Sequence, residues 1–194
     1  MTRLAARWLV ALAMLWAPAI HAVPITLVGS LLGTNEVPPN ASPGTGFVFV
    51  TIDSDAHTLA VNAVFSGLLA PTVASHIHCC TPPGANAMVA TQLPSFIGFP
   101  LGVTSGVFEA TFNTLLASTY NPAFLNNATN MGIVALAETT LFTSLLTGRA
   151  YFNVHTTLFP GGEIRANLVV PEPSSLALLA VAMLGLGAVQ RRRA

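Results

Sequence analysis

Residues 46–65 read GFVFVTIDSDAHTLAVNAVF. Gly46–Ile52 and Thr58–Phe65 are β-branched and aromatic runs with apolar alternation, the pattern of half-buried strands. Between them, Asp53-Ser54-Asp55-Ala56-His57 is polar and reads as a hairpin turn, with His57 solvated beside Asp53 and Asp55. This antiparallel pair sets the reading of its surroundings. Similar runs at Ile25–Leu31, Val73–His78, Val107–Phe112, Ala150–His155 and Glu163–Val169 bring the predicted strands to seven. A loop rich in Pro, Gly and Asn occupies Gly33–Gly46.

One stretch breaks the pattern. Leu115–Asn127 has irregular apolar spacing compatible with a short helix. Ile133–Leu146 places Val134, Ala137, Leu141 and Leu145 on one helical face, and Gly148 is positioned to end that helix. Short strands with one helical segment predict a mainly all-β domain, an antiparallel β-sandwich or flattened barrel with a helical insertion. A C-terminal hydrophobic helix is expected beyond it.

Of 194 residues, 53% are hydrophobic and only 7% charged, against a usual charged share of about 25%. Part of this bias lies in the two ends. Residues 1–22 carry Arg3 and Arg7, an apolar run from Trp8 to Trp16 and a small residue, Ala22, before Val23, as a signal peptide does. Residues 170–194 begin with Pro171-Glu172-Pro173, continue through the uncharged run Ser175–Val189, and close on Arg191, Arg192 and Arg193. The run is a little short of the roughly 20 residues that span a bilayer comfortably, and the arginines place its end on the cytoplasmic side. Between the tails, Arg149 and Arg165 are the basic residues, set against Glu36, Asp53, Asp55, Glu109, Glu138 and Glu163. A nucleic-acid partner needs clustered cations to release counterions, so this composition excludes one.

The tail resembles the PEP-CTERM sorting signal of Gram-negative bacteria: Pro171-Glu172-Pro173, a hydrophobic helix, then the arginine cluster. That resemblance implies an exosortase-type sorting enzyme as partner and transient anchoring in the inner membrane through the C-terminal helix. Processing then delivers the protein to the cell envelope or extracellular matrix. The segment 23–169 resembles the CHRD domain. Asn35-Glu36-Val37-Pro38-Pro39, His76-Ile77-His78, Tyr151-Phe152-Asn153-Val154-His155-Thr156 and Gly161-Gly162-Glu163-Ile164-Arg165 carry the likeness in order. Ala166 departs from it, standing where the family often has another glycine. The family implies an exported β-rich domain without an established catalytic activity. The expected role is therefore non-enzymatic, binding or structural, toward polysaccharide or other envelope proteins.

Ser75–Gly84, SHIHCCTPPG, supplies the chemistry to weigh against that role. His76 and His78, two apart on a strand, share a face, and His155 offers a third imidazole. Three such nitrogens suit copper or zinc; the competing reading is structural, with His155 paired to Glu163 or a backbone carbonyl and Arg165 to a carboxylate. A metal-binding, redox-type protein is thus the alternative function. Cys79 and Cys80 are the two cysteines. Neighbouring Cα atoms lie about 3.8 Å apart, below the usual disulfide range of roughly 4.4–6.8 Å. A vicinal bridge, free thiols and metal ligation all stay open. Glu36 and Glu163 are polar anchors or ligands in Gly- and Pro-rich loops.

Overall fold

The computed structural model describes residues 23–172. The predicted signal peptide, the hydrophobic C-terminal helix, Pro173 and Arg191–Arg193 lie outside the described residues. Among those described, no helix is long and apolar enough to cross a membrane.

Eight strands form one antiparallel sheet: β1 (Ile25–Leu32), β2 (Thr45–Asp53), β3 (Thr58–Ser66), β4 (Thr72–Cys79), β5 (Met88–Val89), β6 (Gly106–Asn113), β7 (Ala150–Thr156) and β8 (Ile164–Asn167). Their order is β5-β4-β7-β8-β1-β2-β3-β6. The expected sandwich or flattened barrel takes the form of this single sheet, curled into a half-barrel. The β2–β3 hairpin is in the register its alternation requires, with Val50 opposite Val61 and Ile52 opposite Leu59. Val48, Val50, Ile52, Leu59, Val61 and Phe65 are buried on the inner face, whereas Phe47, Phe49 and Val64 point outward and are exposed.

The curl is closed over an aromatic core. Phe96, in the connection between β5 and β6, packs 5.0 Å from Phe112 and 5.8 Å from Phe108 of β6. It also meets Phe152 of β7 at 6.2 Å, so one ring joins opposite halves of the sheet. The helical insertion consists of α1 (Pro122–Leu125) and α2 (Val134–Leu146). Asn121 caps α1 by accepting from the Ala123 N–H. Ala137, Leu141 and Leu145 of α2 are fully buried, and Gly148 follows in the left-handed conformation that ends the helix.

Three details depart from the sequence reading. The two-residue β5 adds an eighth strand, too short to produce a periodic signal. β8 stops at Asn167, and Val169 beyond it makes an isolated bridge to Val28 of β1, in the same register as Arg165 with Leu32. His57 is not a freely solvated turn residue. Its Nδ1 lies 3.0 Å from both carboxylate oxygens of Glu138 on α2, tying the β2–β3 turn to the helix.

Candidate metal centre

Strands β7 and β8 and the second half of β4, from Ser75 to Cys79, differ from the rest of the sheet because both of their faces are covered. Every residue of β7 is buried. Ala150, Phe152 and Val154 meet the apolar core, while Tyr151, Asn153 and His155 point the other way. Register puts His76 opposite Asn153, and His78 opposite Tyr151. Arg165 of β8 pairs with Asn153 on its other side. The outer face of these three strands is therefore polar, and the loops around 36–40, 85–87, 94 and 158–162 close over it.

His76, His78 and His155 come together there. The ring centroid of His76 lies 4.8 Å from that of His78 and 4.6 Å from that of His155. One ring nitrogen from each lies within 4.8 Å of the other two. Two nitrogens bound to one tetrahedral zinc sit about 3.4 Å apart, so the rings need to close by roughly an ångström. Two of the imidazoles are also held from behind by a backbone carbonyl. Nδ1–H of His78 donates to Ala87 O at 2.8 Å, and that of His155 to Pro160 O at 2.9 Å. The Pro94 backbone lies beside the His76 ring and acts to raise its basicity slightly. The remaining nitrogens, His76 Nδ1, His78 Nε2 and His155 Nε2, are buried without a hydrogen-bond partner.

That arrangement keeps the rings neutral. Burial pushes the His76 imidazole down to about 3, with His155 and His78 adding to the fall. Burial likewise takes His78 to about 4, and lowers His155. A metal competes for lone pairs with protons; here the protons are already disfavoured. The neighbours are arranged by stacking. Tyr151 lies flat against His78 at 4.6 Å and 7°, and the Arg165 guanidinium covers the tyrosine ring at 3.3 Å from its centroid.

The same outer-face residues bear on kinship. A model of the CHRD domain matches residues 27–168, from β1 through β8 and including all three histidines. The chain belongs to the CHRD domain family. A PEP-CTERM protein-sorting motif matches residues 169–193, beginning at Val169, which still bridges to Val28 of β1. Together they make this an exported protein sorted by exosortase-type machinery to the cell envelope or surface. No curated protein and no solved structure matches the chain.

Other predicted residues of the CHRD domain fall into place around the cluster. Glu163 does not meet His155. It is a buried clamp between loops, accepting from Ser42 Oγ at 2.6 Å, Leu69 N–H at 2.7 Å and Thr156 Oγ1 at 2.7 Å. Arg165 is fully buried and donates to the Ala85 carbonyl at 3.1 Å and to Asn86 Oδ1 at 3.3 Å, holding the 85–87 loop that in turn orients His78. Ala166 packs where Gly29 leaves room, since a Cβ on Gly29 would lie 2.8 Å from that of Ala166. Cys79 and Cys80 are joined in a disulfide. Cys79 faces the core, opposite to His78, so its sulfur does not reach the histidine cluster.

Asn153 escapes a reading of the sequence, and it meets Glu36, which the sequence marks as a polar anchor or ligand. Asn153 donates from Nδ2 to Glu36 Oε2 at 3.3 Å, while Asn153 Oδ1 and Glu36 Oε1 are buried and unpaired. Burial raises the Glu36 carboxyl to about 7, against the lowering influence of Arg165 and Asn153. The signal available in the sequence was the second glycine of Gly161-Gly162. At φ +127°, a Cβ there would lie 2.6 Å from both Asn153 and Glu36.

Proposed function

We propose that this exported CHRD domain is a non-enzymatic metal-binding module, holding one copper or zinc ion through His76, His78 and His155. One observation carries this reading: three buried imidazoles, two of them fixed by backbone carbonyls, converge within 4.8 Å, and each keeps a buried nitrogen without a partner. An unpaired buried acceptor costs about 1–3 kcal/mol, so three together are an expense that a metal ion would offset. Backbone carbonyls behind ligating histidines are also the usual means of fixing their tautomer. Copper and zinc follow from the all-nitrogen donor set. The test is elemental analysis of protein purified from an oxidising compartment without chelators. Near-stoichiometric copper or zinc is expected, disappearing in the His76→Ala/His78→Ala double variant. A folded protein that takes up neither ion on titration would sink the reading.

A binding role toward polysaccharide or envelope proteins is favoured by a separate feature. Phe47 and Phe49 of β2, Val64 of β3 and Val107 of β6 form an exposed apolar patch on the outer face, flanking a groove of about 170 Å³. Exposed apolar clusters of this kind mark contact surfaces. If this face mediates retention, Phe47→Ser with Val107→Ser will release the protein from the envelope or matrix fraction into the medium. Unchanged fractionation would dispose of that role for the patch.

A further inference from the structure

Six buried side-chain polar atoms among the described residues have no hydrogen-bond partner; three are nitrogens of the histidine cluster, and two more belong to Asn153, across from His76 on β7, and to Glu36, which is hydrogen-bonded to Asn153. The imidazole nitrogens and Asn153 Oδ1 are acceptors, as is Glu36 Oε1 when its carboxyl is ionised. A bare ion on the histidines would satisfy three and leave two oxygens unpaired. Asn153 stands directly across from His76 and two residues from His155 on the same face, and both it and Glu36 are more than nine-tenths buried. Gly162 lies beside the two oxygens, and a Cβ there would come within 2.6 Å of both.

We propose that the ion's fourth ligand is a water molecule whose two protons are accepted by Asn153 Oδ1 and Glu36 Oε1. The inference rests on the metal reading above and extends it to a hydrated ion held by five residues. The count closes: three lone pairs go to the metal, and two protons of one water go to two oxygens. Water exchanges through the cleft of about 350 Å³ between Glu36–Asn40 and Leu158–Gly162, whose wall includes Glu36 itself.

The test uses the purified protein loaded with Cu(II). Continuous-wave EPR reads the nitrogen couplings, and pulsed EPR in D2O reads exchangeable deuterons on a directly bound water. Three imidazole nitrogens and a bound-water deuteron signal are expected. Partners of a bound group outside the ligands themselves are worth roughly ten- to a hundredfold in metal affinity. Asn153→Leu should therefore weaken Cu(II) by that factor while keeping the three-imidazole pattern, with Glu36→Gln at the low end. Three imidazoles without an exchangeable deuteron would overturn the water ligand alone, as would wild-type affinity in both variants. Failure to see three imidazoles at all would overturn the metal reading and this one with it.

Discussion

His78 shows how a single side chain divides its duties. Its Nδ1–H holds Ala87 O, its ring stacks on Tyr151, and its Nε2 is left with nothing to bind. Replacing it with phenylalanine keeps the stack, frees a carbonyl in a partly exposed loop to find water, and removes one unpaired buried acceptor. The metal-free His78→Phe protein is therefore expected to melt at or above the wild-type temperature, while the rise in melting temperature on adding Zn(II) is lost. A structural histidine would behave oppositely, with a lower melting temperature and no effect of zinc in either protein. Gly162 gives the complementary case. Any Cβ there would collide with Asn153 and Glu36, at a φ of +127° that side chains rarely adopt. Gly162→Ala should cost about 1–3 kcal/mol from backbone strain, and more from displacement of the acceptor pair. A denaturant midpoint equal to wild type would contradict this.

At the scale of elements, α2 carries much of the closure of the half-barrel. Leu141 is fully buried at its centre, and its truncation in Leu141→Ala should cost about 2–5 kcal/mol, read by urea unfolding. The helix is also pinned from its polar side, where Glu138 accepts from Thr114 Oγ1 and meets His57. How legible these elements are follows from their periodicity. β2, β3 and α2 each bury one face, so alternation or helical spacing reveals them within a residue or two. β7 buries both faces, and its sequence AYFNVHT still alternates between core and polar residues. Nothing in that alternation says that loops will cover the polar side. The histidine trio was legible because two of its members share a strand and the third ends another. Glu36 was legible as a polar anchor or ligand, but its meeting with Asn153 was not, because it depends on a loop folding over β7, a contact with no local signature. The pairing of His57 with Glu138 was hidden for the same reason, spanning 81 residues.

For the whole molecule, the buried cluster sets how stability responds to pH. In the folded protein the His76 and His78 imidazoles are lowered from 6.5 to about 3 and about 4, and His155 is lowered too. Between those values and 6.5 the unfolded chain holds more protons than the folded one, so stability rises with pH. The contribution is full above pH 6.5 and is lost as pH falls toward the folded values. Glu36 acts in the opposite sense. Its carboxyl is raised from 4.5 to about 7, so the folded protein holds the extra proton, and that contribution is full below pH 4.5 and lost as pH climbs through 7. From pH 4.5 to 6.5 three histidines oppose one carboxyl, and the histidines prevail. Each unmatched proton is worth about 1.4 kcal/mol per pH unit. Metal-free protein should therefore melt at progressively higher temperature from pH 4.5 to 6.5, then level off or decline slightly toward pH 8. In the triple variant His76→Phe/His78→Phe/His155→Phe the rise should vanish and the Glu36 decline should stand alone. Calorimetry across this range decides the matter: a wild-type profile flat from pH 4.5 to 6.5 would mean that the three imidazoles are not buried neutral together, and the case for a shared ion would go with them.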